Sequence, residues 1–373
     1  MPGQTRDSSP SVPQSKESTM SRSRTSVLRR FGAIAAVSAA LLAAGCANKG
    51  SSSEPATGAD AMRLNVGQIS DSVAFFPLFV AEHEGYFKAE GLTLGERPRL
   101  GTGAKLAAAV QSGSIDIAGG VMTDAFNLYK INNKARVVGS LVDAYYVDII
   151  AGSNIPTAGD SAPLNERIQA LRGKKIGMTG PGSGTEALVN YLFKQANLDP
   201  KNDATLVNLG ADASAAIGAL KAGRVDALSF FQPIGQQAVA TGVGRIYISP
   251  ARGDIPALKD AIHGAVFTTQ NVIDRKGKAV AAFLRAIAKA EQTINGDPAK
   301  ASELLQQYQK TMNAQTVQAL VPVLQAEIPD APTPTETAYN VSADFHRQTG
   351  LVPTTPTFTD IVPSEWIATA LKG

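Results

Sequence analysis

The chain of 373 residues carries 35 basic and 32 acidic side chains, one cysteine and three histidines. A lone cysteine excludes an internal disulfide, so the fold must be held by its core. The histidines (His83, His263, His346) are scattered without ligand spacing, which gives little support to a metal centre or a catalytic triad. Residues 1–45 hold six of the basic side chains (Arg6, Lys16, Arg22, Arg24, Arg29, Arg30) and two of the acidic ones (Asp7, Glu17), leaving 29 against 30 in the remainder. That near-balance offers no electrostatic reason to bind nucleic acid.

In chain order, Arg29-Arg30 precede a 15-residue apolar run, Phe31 to Gly45, interrupted only by Ser38. The run is shorter than the ~20 residues needed to cross a bilayer, and its flanks are those of a signal peptide. It closes with Leu42-Ala43-Ala44-Gly45-Cys46, which resembles a bacterial lipobox, although leucine is more usual where Ala43 stands. The resemblance implies cleavage before Cys46, lipid attachment to its thiol, and a mature protein anchored in the periplasm or on the outer face of the cell membrane. Residues 1–19 are polar and rich in Pro and Ser, so translation can start at Met1 or at Met20. Residues 46–61, with Lys49-Gly-Ser-Ser-Ser-Glu-Pro-Ala-Thr-Gly-Ala-Asp60, cannot bury apolar surface and read as a flexible tether.

About 310 residues remain, enough for two lobes of ordinary domain size. They contain an internal correspondence at an offset of 110 residues. Leu64-Asn-Val-Gly-Gln-Ile69 pairs with Lys174-Lys-Ile-Gly-Met-Thr179, and Ala109-Val-Gln-Ser-Gly-Ser-Ile-Asp-Ile117 pairs with Ala219-Leu-Lys-Ala-Gly-Arg-Val-Asp-Ala227. In each second segment an alanine-rich helix stops at a glycine (Gly113, Gly223), and an aspartate (Asp116, Asp226) opens the next strand. Further strands are expected at 92–96, 136–141, 147–151, 206–209, 225–231, 245–249 and 265–269. Helices are expected at 77–84, 103–111, 123–131, 185–195, 213–221 and 234–240. Such alternation predicts an α/β protein of mainly parallel sheets with ligands bound beyond the strands' carboxyl ends. Val280, Phe283, Leu284, Ile287 and Ile294 share one face of a long helix over 274–295, followed by helices over 298–309 and 314–325 that should buttress the first lobe.

Pro77-Leu-Phe-Val-Ala-Glu-His-Glu-Gly-Tyr-Phe-Lys-Ala-Glu-Gly-Leu92 resembles the first helix and turn of the nitrate/sulfonate/taurine class of ABC-importer binding proteins. Leu171-Arg-Gly-Lys-Lys-Ile-Gly-Met-Thr-Gly-Pro-Gly-Ser-Gly-Thr-Glu-Ala-Leu188 is similar to the start of that family's second lobe, and Ala219–Ala227 matches it again. The likeness covers roughly residues 63–309. It implies a type II periplasmic-binding-protein fold, two Rossmann-like lobes joined by two crossover strands: 62–144 in lobe 1, 145–261 in lobe 2, and 262–373 returning to lobe 1 with C-terminal helices. The thiamine-pyrimidine-synthase-like family is similar to the same group, so the fold alone does not choose a ligand.

The expected ligand contacts lie in the loops after the strands. Gly180-Pro-Gly-Ser-Gly-Thr185 follows a strand and opens a helix, so free N–H groups and the helix dipole favour an anion near Ser183, Gly184 and Thr185. The segment lacks the third glycine of a dinucleotide fingerprint and the lysine of a P-loop, and no cofactor is implied. Ser70 and Phe75 follow the first strand, Met122 and Thr123 another, Tyr145 or Tyr146 stands at the first crossover, and Phe231 with Gln232 ends the corresponding second-lobe strand. Asp71, Asp124 and Asp143 fall nearby without a Lys or Arg in the same loops, a pattern better suited to an organic anion or a zwitterion than to an inorganic dianion. The expected function is therefore a monomeric, non-enzymatic solute-binding component of an ABC importer for an alkanesulfonate- or taurine-like ligand, partnered by a permease and its ATPase. Two alternatives stay open: a carrier of a thiamine-type pyrimidine precursor, and a biosynthetic enzyme of the same fold.

Overall fold

The computed structural model describes residues 55–373. The apolar leader run, Cys46 and most of the expected tether lie outside them. The end of that tether is docked: residues Gly58–Met62 form a 3-10 turn, and the Ala56 N–H donates to Arg275 O at 2.9 Å.

Eleven strands follow in chain order: β1 (Arg63–Leu64), β2 (Val66–Gln68), β3 (Thr93–Leu94), β4 (Ile117–Val121), β5 (Ala135–Val142), β6 (Val147–Ala151), β7 (Lys175–Met178), β8 (Thr205–Asn208), β9 (Ala227–Phe231), β10 (Arg245–Ile248) and β11 (Gly264–Thr269). β1 and β3 form a small parallel pair. The first lobe is built on a sheet of order β2-β4-β11-β5, the second on one of order β10-β6-β9-β7-β8. β4 runs parallel to β2, and β11 is antiparallel to both β4 and β5. In the second sheet β7, β8 and β9 are mutually parallel, and β6 is antiparallel to its neighbours β9 and β10. Each sheet is thus parallel except for one strand, and that strand (β6 or β11) is the one by which the chain enters from the other lobe. A chain leaving at the carboxyl edge of one sheet arrives at the carboxyl edge of the next and must run away from it.

The repeat governs this architecture closely. β2 pairs with β4 in the register Val66↔Ile117, and β7 pairs with β9 as Ile176↔Ala227, the same pairing moved by the offset. Asp116 Oδ2 accepts the Asn65 N–H at 2.8 Å, and Asp226 Oδ2 accepts the Lys175 N–H at 2.8 Å. Each aspartate therefore stitches the start of its strand to the neighbouring strand. The preceding helices, Gly103–Ser112 and Ala213–Lys221, end before Gly113 (φ 74) and Gly223 (φ 65), left-handed positions that glycine occupies without strain.

The C-terminal third adds helices Gln270–Gly296, Pro298–Tyr308 and Ala314–Glu327, with a break from helical geometry at Lys276 in the first. Phe283, Leu284, Ile287, Leu304, Leu320 and Leu324 pack with Phe76, Val80 and Val138 into the first-lobe core. Three further helices were not read from the sequence, Glu336–Thr349, Phe358–Ile361 and Ser364–Lys372. The first of these, Glu336–Thr349, touches both lobes. It places Tyr339 and Ala343 among first-lobe residues, but Phe345 lies in the second-lobe core against Tyr145 and Tyr191.

Candidate functional site

The carboxyl ends of both sheets face one cleft, with about 440 Å³ of empty space including its mouth. The first lobe supplies Ile69, Ser70, Ser72 and Phe75 from the loop after β2, Thr102 and Gly103 from the start of a helix, and Val121 with Asp124 after β4. The crossovers supply Tyr146, Val147 and His263, and the second lobe Thr179, Ser183, Gly184, Thr185 and Phe231. Among the described residues no lysine or arginine lines this space. Ile69, Ser70, Ser72 and Phe231 are shared with a second, outer compartment of about 1080 Å³, open solvent included, that Asp71, Arg99, Asp212 and Gln237 border.

The anion-binding potential resides in the turn before helix Gly184–Gln195. Ser183 is the N-cap, its Oγ accepting the Glu186 N–H at 3.2 Å. Thr185 Oγ1 accepts the Thr179 N–H at 3.0 Å and pairs with the hydroxyls of Thr179 (2.9 Å) and Ser183 (2.8 Å). Glu186 reaches back to the Gly182 N–H at 2.6 Å. The hydroxyls therefore shape the turn, while the N–H groups of Gly184 and Thr185 meet no protein acceptor among the described residues. Such a pair at the positive end of a 12-residue helix is a ready seat for an acidic group.

The ten residues expected from the sequence divide into two sets. Ser70, Phe75, Ser183, Gly184, Thr185 and Phe231 come together on the cleft wall. Met122 is packed in the first-lobe core beside Leu106 and Phe126. Thr123 is fully buried, with Oγ1 2.7 Å from His346 Nε2. Tyr145 turns beneath the second-lobe helix and donates to Gly184 O at 2.6 Å, while Tyr146 takes the cleft wall. Neighbouring residues in extended chain point to opposite sides, so one tyrosine at the crossover must turn away. Gln232 is buried and donates through Nε2 to Glu327 Oε1 at 3.0 Å.

Two cleft residues carry further chemistry: His263, which the sequence reading did not assign, and Asp124, which it placed among the acidic residues near the cleft. His263 stands at the second crossover, 1% exposed, its ring centroid 3.9 Å from that of Tyr145 and 4.8 Å from that of Tyr146. Burial, and then the nearby His346, push its imidazole well below the ordinary value, so it is neutral at physiological pH. Its Nδ1 has no hydrogen-bond partner among the described residues. Asp124 is also 1% exposed; burial raises its carboxyl to about 7 against the pull of the Val121 N–H, which Oδ2 accepts at 3.0 Å. The sequence signal for His263 was its place immediately before a returning strand. For Asp124 it was the cap position of a helix that starts at a strand's carboxyl end.

The lobes meet across the cleft. Asn127 Nδ2 donates to Gly182 O at 3.2 Å and Ser72 Oγ to Gln232 O at 3.0 Å. Two α/β lobes on a double crossover, with a cleft at their strand ends, define a protein of the two-lobed periplasmic-binding-protein fold. The chain belongs to the NMT1-like family, whose profile matches residues 58–308. It is 22% identical over 245 residues to YtlA of Bacillus subtilis, covering 64% of this chain and 68% of that one. Among solved structures it is similar to the ligand-binding component of an ABC-type import system from Staphylococcus aureus (TM-score 0.66, 16% identity, 84% of this chain and 100% of that one). It is similar also to the alkanesulfonate-binding protein SsuA of Xanthomonas axonopodis (TM-score 0.62, 19% identity, 83% and 97%).

Proposed function

We propose that this protein is the extracytoplasmic solute-binding component of an ABC importer, lipid-anchored at Cys46, and that it captures a small organic anion or zwitterion of the alkanesulfonate or taurine kind without acting as an enzyme. The observation that carries the reading is the pair of unpartnered N–H groups, Gly184 and Thr185, at the start of a second-lobe helix in a cleft that no lysine or arginine lines among the described residues. The apolar wall of Ile69, Phe75, Tyr146 and Phe231 suits the carbon skeleton of such a ligand. Closure of the lobes around the ligand forms the surface that the permease recognises, and the protein acts as a monomer.

A thermal-shift screen of alkanesulfonates, taurine, nitrate, short carboxylates and pyrimidines tests this directly. A ligand at 100 times its dissociation constant stabilises the folded state by about 2.7 kcal/mol. A response confined to pyrimidines would transfer the cleft to a thiamine-type precursor. Recovery of an unacylated protein from the cytosol of its host would remove the carrier role altogether.

A further inference from the structure

Three acidic residues flank the strand ends, but they are not equivalent. Asp71 sits on the outer lip, exposed and paired with Arg99 Nε at 2.7 Å. Asp143 accepts the Ser140 hydroxyl and does not line the cleft. Asp124 alone lines it. Its Oδ2 is occupied by the Val121 N–H, whereas Oδ1 accepts nothing from the protein among the described residues. Gly103 packs against this carboxyl: a Cβ at position 103 would overlap Oδ1, so glycine there makes room for the carboxylate at the cleft wall. The unpartnered N–H groups of Gly184 and Thr185 belong to the other lobe and line the same space. The cleft therefore offers an acceptor from one lobe and donors from the other.

We propose that Asp124 selects cargo by charge: its Oδ1 receives a protonated nitrogen of a ligand whose acidic group sits on the Gly184 and Thr185 N–H groups. The inference rests on the reading of this cleft as the ligand site and narrows its cargo to short zwitterions, a primary ammonium and an acid joined by a small carbon skeleton. A simple anion leaves the buried carboxyl without a counter-charge and gains nothing from it. An ammonium supplies the counter-charge, and the Asp124 proton departs to solvent as the pair forms, a proton-linked binding step. Around Asp124 stand Tyr145 and Tyr146 from the first crossover, His263 from the second and His346 from helix Glu336–Thr349. Burial raises both phenols and lowers both imidazoles, so all four are uncharged near neutrality and do not supply the proton themselves.

Isothermal titration of the mature protein with taurine, β-alanine, ethanesulfonate and propionate separates amine from acid. Taurine and β-alanine are expected to bind at least about tenfold tighter than ethanesulfonate and propionate, respectively. Measured at pH 6 in two buffers of different ionisation enthalpy, the amine ligands should release close to one proton, and about a tenth as much at pH 8. Asp124→Asn retains an oxygen for the Val121 N–H, and should abolish both the preference and the proton release while ethanesulfonate still binds. Equal affinity of ethanesulfonate and taurine for the wild type, or a preference that survives in Asp124→Asn, overturns the inference and leaves the anion-binding cleft intact. Failure of all four probes to bind overturns the underlying reading with it.

Discussion

Replacing Gly184 by alanine adds one methyl group where the second-lobe helix meets the crossover. The new Cβ would stand 2.9 Å from His263 Cε1, 3.3 Å from Nε2 and 3.4 Å from Thr123 Oγ1. The imidazole cannot yield easily, because it is buried against the rings of Tyr145 and Tyr146. The helix start must therefore move, and with it Gly184 O, which accepts the Tyr145 hydroxyl at 2.6 Å. Alanine recovers about 0.5–1 kcal/mol of helix backbone entropy. Overpacking costs about 1–3 kcal/mol, and a weakened hydrogen bond about 0.5–1.5 kcal/mol. The expected net destabilisation is about 1–3 kcal/mol. Gly218→Ala supplies the control: it sits inside helix Ala213–Lys221 with nothing within 4 Å of its built Cβ, so only the entropic gain remains. Urea denaturation at pH 7 compares the two variants with the wild type. His263→Ala in the Gly184→Ala background should restore part of the loss. If Gly184→Ala proves as stable as Gly218→Ala, the tight packing of helix against crossover is refuted.

Ser183→Ala with Thr185→Ala removes the N-cap and the acceptor for the Thr179 N–H; it should cost about 1–2 kcal/mol of stability and weaken a bound anion at least about tenfold. Unchanged affinity in titration would move the anion seat elsewhere. Asn127→Ala deletes the bond to Gly182 O and should speed ligand release about two- to tenfold while the association rate stays nearly constant, as stopped-flow kinetics would resolve. Asp148 is fully buried on β6, and burial raises its carboxyl to about 7 against the opposing pull of the Ser249 hydroxyl and the Arg252 guanidinium. A folded-state value above the unfolded one gives stability that is complete below about pH 4 and is lost as pH rises towards and beyond 7. Asp148→Asn should therefore gain on the wild type by about 2–3 kcal/mol between pH 5 and pH 8, and a pH-independent difference in urea midpoints would reject the assignment.

The lobes were legible because their determinants repeat. Gly113 with Asp116, and Gly223 with Asp226, mark two copies of one strand–helix–strand unit, and the structure reproduces even the hydrogen bonds those aspartates make. Ser183-Gly184-Thr185 was legible as a helix start because capping residues and glycine act locally. His263 and Asp124 were harder, since their surroundings are assembled by the crossovers from segments more than a hundred residues apart. The choice between Tyr145 and Tyr146 was open for the same reason: which ring faces the cleft depends on the direction in which the chain leaves β5. Helix Glu336–Thr349 was hidden by the Pro/Thr-rich segment that introduces it, although Thr335 caps it by accepting the Ala338 N–H at 3.2 Å.

That helix has a mechanical effect. Phe345 is embedded in one half of the molecule, and His346, the next residue, is fixed to Thr123 of the other. Parting the halves along this rear edge would extract a buried aromatic ring, comparable to the ~3–5 kcal/mol lost when such a ring is truncated. An opening of the lobes is therefore expected to pivot about this anchor and to part the margins at Arg99 and Asp212, which border the outer compartment. Spin labels on those two margins should report a wide ligand-dependent change in separation, and a pair placed near the Phe345 anchor almost none.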